Sequence, residues 1–119
     1  MRTEETFIVA CVAGSDPTGG AGLQADLKTF AAHGVVGTAI VSAVTVQNHE
    51  GVRAVVAIAP EVVAAQLEAL LDQVVPRAIK TGMLHSAETA VAVAEVLARR
   101  PIAHLVVDPV FTATAGGSL

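Results

Sequence analysis

The chain has 119 residues, 53% of them apolar and 15% charged, which excludes a disordered polymer and bounds it to one small domain, residues 1–119. Seven basic residues against eleven acidic ones give a net charge of −4 without a basic cluster, which argues against nucleic acid as a partner. The single cysteine excludes an intrachain disulfide, no apolar run reaches the ~18 residues of a membrane span, and the acidic start lacks a signal peptide's basic region, so a cytoplasmic chain with no membrane partner is expected.

Phe7 to Ala13 reads as a continuous apolar strand of the kind buried on both faces of a parallel sheet. A glycine-rich loop follows, Gly14-Ser-Asp-Pro-Thr-Gly-Gly-Ala-Gly22. The spacing of Leu23, Leu27, Phe30 and Ala31 then predicts a helix from about Ala21 to His33, closed by Gly34 at C′. Val35 to Val46 and Val52 to Ile58 read as a hairpin around the four-residue loop Asn48-His-Glu-Gly51. Pro60 and Glu61 open a second helix whose buried face is Val63, Leu67, Leu70, Leu71 and Val74, and Pro76 stops it. Ala78 to Met83 is a short strand. Ser86 caps a third helix with Ala90, Val93, Ala94 and Leu97 on one face; Arg99 and Arg100 suit its C-terminal dipole. His104 to Val110 is the last strand. Helices alternating with apolar strands predict an α/β fold with a mostly parallel sheet.

Three loops leave this sheet at one edge: Gly14 to Gly22, Gly82 to His85, and Asp108 to Gly117. Ligands of open α/β sheets bind outside the carboxyl ends of strands. The first loop begins like a P-loop, but Gly20-Ala21 stand where Lys and Ser/Thr are required. Gly20-x-Gly22-x-x-Ala25 matches a dinucleotide fingerprint, yet it lies too far from the strand end. Asp26 sits at the border of the helix's buried face, where it suits either a ligand hydrogen bond or the helix dipole. Gln47 carries both a donor and an acceptor into an apolar neighbourhood, as a ring-edge reader or a turn residue. Met83 suits a flat ring or plain core. Lys80 is an anion ligand or an outward strand lysine. Asp108 suits magnesium, a phosphate contact or an Asp-Pro turn. His33, His49, His85 and His104 have no metal spacing, and Cys11 reads as a buried strand residue.

Together, the stretch Ala13 to Phe30, Thr45-Val-Gln-Asn48, Lys80-Thr-Gly-Met-Leu84 and Val107-Asp-Pro-Val110 resemble hydroxymethylpyrimidine/phosphomethylpyrimidine kinase of thiamine biosynthesis. The resemblance implies a ribokinase-like fold with a small β flap at Asn48 to Gly51. It implies transfer of the ATP γ-phosphate to 4-amino-5-hydroxymethyl-2-methylpyrimidine and then to its monophosphate. By motif position, Gly14, Asp26, Gln47, Met83 and Val110 would line the pyrimidine pocket, Asp108 would lie near Mg2+ and the phosphates, and the enzyme would be a homo-oligomer. Thr114 stands where many relatives have Lys.

The chain is expected to be the N-terminal part of such a kinase, incomplete at its C-terminus, with the catalytic base and anion hole beyond Leu119. It would then be inactive alone, and Val106 and Val107 would lack part of their cover. A pyridoxal-type kinase, a noncatalytic pyrimidine-binding module and a dinucleotide-binding domain are the other readings.

Overall fold

A computed structural model describes residues 6–110. Its elements are β1 (Ile8–Ser15), α1 (Gly22–Ala32), β2 (Val36–Asn48), β3 (Gly51–Ala57), α2 (Pro60–Gln73), β4 (Ala78–Thr81), α3 (Ala87–Arg99) and β5 (His104–Val107). The strands form one sheet in the order β3-β2-β1-β4-β5. β1 pairs in parallel with β2 and β4, β4 pairs in parallel with β5, and β3 runs antiparallel to β2. The chain leaves β1 toward β2 and later returns to β1's other side as β4. β1 therefore stands at the point where strand order reverses, and such a point opens a crevice at the carboxyl ends.

Alternation along β1 divides the layers. Ala10 and Val12 face α2 and α3, in a core with Ile40, Ile79, Val63, Leu67, Leu71, Val93 and Val96. Val9 and Cys11 face α1. Gly37, opposite Val9, leaves the hollow that Phe30 and Leu27 of α1 fill. The spacing predicted for α2 holds for Val63, Leu67 and Leu71, which are buried, and for Leu70, which packs on the core, while Val74 lies past the helix end in extended backbone.

α3 departs from expectation. Its buried residues are Thr89, Val93 and Val96, while Ala94 is exposed. Val93 and Val96 take the inward positions and Val91 faces outward; alanine, with less apolar area to remove from water, gains less from burial. Ser86 caps α3 by accepting the Thr89 N–H at 3.1 Å. Arg99 pairs with Glu68 and Arg100 with Asp72, so both arginines tie α3 to α2 besides meeting the helix end.

The hairpin is tighter than predicted. Asn48 pairs with Gly51, leaving a two-residue turn at His49-Glu50, and the Asn48 side chain accepts the Glu50 N–H. Gly34 has φ +73° and closes α1 as expected. β5 is exposed along its whole length, with Leu105 at 50%, Val106 at 56% and Val107 at 62%, an exposure expected for the two valines.

Candidate functional site

At the carboxyl ends of β1, β2 and β4 lies a cavity of about 650 Å³, within the range of small-molecule sites. Gly14, Asp26, Gln47, Met83, Asp108 and Val110 all line it, so residues separated by up to 96 positions (110 − 14) meet at one place. Lys80, Thr45 and His49 line it as well. Thr114 lies outside the described residues.

The glycine loop is organised by a carboxylate that the sequence reading passed over. Asp16 is buried and accepts the Thr18 N–H at 2.9 Å, the Thr18 hydroxyl at 2.9 Å and the Ala21 N–H at 2.8 Å. Burial pushes its pKa up, but the donors from Thr18, Ala21 and Gly20 outweigh this and hold the carboxyl below its ordinary range. Gln24 of α1 clamps the same turn, accepting the Asp16 N–H and donating to the Ser15 hydroxyl, both at 2.8 Å. Ala21 is the N-cap of α1. The anion at this helix start is therefore the protein's own, which disfavours a phosphate there.

Two glycines serve close internal packing. A Cβ on Gly14 would lie 2.2 Å from the Met83 methyl, and one on Gly22 would lie 2.3 Å from the Gly14 carbonyl oxygen. Gly22 also has φ +61°. α1 thus starts hard against the end of β1, and Met83 fills the hollow over Gly14 while lining the cavity.

α1 begins at Gly22, which puts Asp26 beyond its first turn, so the dipole reading does not apply. Asp26 instead meets Lys80, whose Nζ lies 2.9 Å from both carboxylate oxygens. Cys11 sits next to Lys80 in the sheet, and burial first, then the Asp26 charge, push its thiol up to about 12. It stays protonated at neutral pH and is no nucleophile.

The β2 wall depends on a bulge. Ala13 pairs with Val41 and Gly14 with Ala43, so Ser42 is an extra residue. Gln66 of α2 satisfies the backbone there, accepting the Val41 N–H and donating to the Val41 carbonyl, both at 3.0 Å. Ser42 donates to the Met83 carbonyl. Beyond the bulge, the Thr45 hydroxyl donates to the Ser15 carbonyl at 2.6 Å, and Gln47 Nε2 donates to Thr45 Oγ1 at 2.7 Å. The Gln47 carbonyl oxygen has no hydrogen-bond partner among the described residues. The cavity thus offers a carboxylate and an amide to a polar ring, with an apolar Met83 and Val110 beside them. Asp108 adds one exposed carboxylate.

The phosphomethylpyrimidine kinase family model matches residues 16–119. The chain belongs to this family. The hydroxymethylpyrimidine/phosphomethylpyrimidine kinase of Rhizobium meliloti (strain 1021) is 47% identical over 96% of this chain and 42% of its own length. The phosphomethylpyrimidine kinase structure from Clostridium difficile 630 superposes with a TM-score of 0.88 at 41% identity, over 96% of this chain and 49% of the other. A Staphylococcus aureus pyridoxal kinase bound to pyridoxal is more distant, with a TM-score of 0.79 at 36% identity, over 89% of this chain and 40% of the other. The chain spans about two fifths of the length of the curated kinases it matches. The fold is therefore the ribokinase-like α/β fold of these kinases, as expected. Among the described residues, no helix is long and apolar enough to cross a membrane.

Proposed function

We propose that this phosphomethylpyrimidine kinase chain supplies the pyrimidine site for ATP-dependent phosphorylation of 4-amino-5-hydroxymethyl-2-methylpyrimidine and its monophosphate. The observation that carries this is the convergence of Gly14, Asp26, Gln47, Met83 and Val110 on one cavity at the sheet's switch point. In this reading Asp26 accepts from the exocyclic amino group, Gln47 meets the ring edge, and Met83 packs on the ring face. A ring held at both edges cannot rotate, so its hydroxymethyl group keeps one direction, and positioning is the larger part of phosphoryl-transfer catalysis.

The residues present fit magnesium only loosely. Among the described residues no three metal-ligating side chains cluster, but Mg2+ bound with nucleotide phosphates commonly takes just one or two protein carboxylates. Asp108 is the residue that would meet it, where the ion would neutralise phosphate charge. The chain spans about two fifths of its curated relatives' length, and by itself it is expected to bind without turnover.

Isothermal titration of the chain with the aminopyrimidine and, separately, with pyridoxal tests the proposal. The pyrimidine should bind more tightly, and Asp26→Asn and Gln47→Ala should each weaken it by about tenfold, a lost hydrogen bond to a buried polar group. Tighter binding of pyridoxal would favour the reading suggested by the Staphylococcus aureus neighbour.

A further inference from the structure

Lys80 ties the sheet to α1. It leaves β4 between two strands, yet its ammonium turns back to lie 2.9 Å from both oxygens of Asp26 on α1. Gly82 leaves room beside this path, since a Cβ there would sit 3.0 Å from Nζ and displace it by a few tenths of an ångström. The pair is partly withdrawn from water, the side chains being 25% and 16% exposed. Below it lies the protonated Cys11, which adds no charge. Asp16 is engaged by its own loop, and Asp108, exposed just after β5, lines the same cavity without pairing to Lys80.

We propose that Lys80 is a positioning and charge-selecting residue for the heterocycle. It fixes the carboxylate's direction, and it makes the Lys80–Asp26 pair neutral as a unit. A lone, partly buried carboxylate draws cations strongly, because Coulomb attraction at contact is large in a medium of low effective dielectric. A carboxylate already matched by an ammonium loses that preference but keeps lone pairs for an N–H donor. The site therefore takes an uncharged amino-heterocycle and discriminates against the same ring carrying a positive charge.

This rests on Asp26 facing the ring, as in the proposed function. The test compares two probes by titration: the neutral aminopyrimidine and its ring-N-methylated, permanently cationic analogue. They are measured on the wild-type chain, Lys80→Met and Lys80→Arg, with circular dichroism to verify folding. The steric cost of the methyl group is common to all three proteins and cancels in the comparison.

Wild type should favour the neutral probe. Lys80→Met should shift the neutral-to-cation ratio by at least about tenfold toward the cation, and Lys80→Arg should restore the wild-type ratio. An unchanged ratio in Lys80→Met, with the neutral probe still bound by wild type, overturns charge selection and leaves the pyrimidine reading standing. A wild type that binds neither probe while Lys80→Met takes up the cation overturns the pyrimidine reading and supports the pairing. Should Lys80→Met fail to fold, Lys80→Gln carries the same comparison. Binding to none of the folded proteins overturns both.

Discussion

The sheet has one side built of apolar packing and one that carries polar groups. Toward α2 and α3, β1 presents Ala10 and Val12 to a continuous apolar core. Toward α1 it presents Cys11, and the neighbours there are a lysine and a carboxylate. α1 has no fully buried residue, whereas α2 and α3 have three each. β1 is apolar on both of its faces, so its own hydropathy does not separate the two roles. What separates them is the partner helix: α1 carries Gln24 and Asp26 into the sheet, where α2 carries Val63 and Leu67. The packed side supplies rigidity, and the other side can then hold polar groups in fixed directions.

Substitutions on the two sides should have different consequences. Leu67→Ala on the packed side should cost about 3 kcal/mol in denaturant unfolding, the usual loss for a fully buried leucine. A loss under 1 kcal/mol would mean the core is looser than described. On the binding side, Gly22→Ala should cost about 2–3 kcal/mol, because it combines a positive φ with a backbone clash against Gly14. It should also weaken pyrimidine binding.

The Cys11 thiol gives a pH handle on the same side. Its folded pKa, about 12, lies above the ordinary 9.0, so the folded state holds a proton that the unfolded chain releases. Stability from this group is complete below pH 9 and is lost as pH rises from 9 toward 12, with a slope of up to about 1.4 kcal/mol per pH unit. Cys11→Ala should remove that slope in alkaline unfolding curves. The smallest effect belongs to β5: Val107→Thr should change stability by less than about 0.5 kcal/mol, since the side chain is already 62% exposed.

The order of elements was legible because each helix carried its own signal, such as Pro60 at the start of α2 or Gly34 after α1. The candidate ligand residues were legible through motif resemblance, and all six line one cavity. Three features were not. Ala94 was placed on the inward face of α3, where Val93 and Leu97 belong, because alanine and valine share its helical period, and period alone does not rank them. Strict alternation from Ile40 would place Ser42, Val44 and Val46 on one face, and the Ser42 bulge breaks that phase; a polar Ser and Thr in an apolar run were its trace. The Lys80–Asp26 pair joins positions 54 apart, and no local pattern records such a contact. Asp16 had a readable signal, since Asp-Pro-Thr is a side-chain-stabilised turn, set beside the more conspicuous glycines.

The Asp16 clamp has a kinetic meaning. A loop whose donors are already satisfied by an internal carboxylate and by Gln24 has little freedom left to lose when a ligand arrives. Ordering entropy is then a small part of association at this wall, and the encounter rate is set by diffusion and orientation at the cavity mouth rather than by closure of the glycine loop.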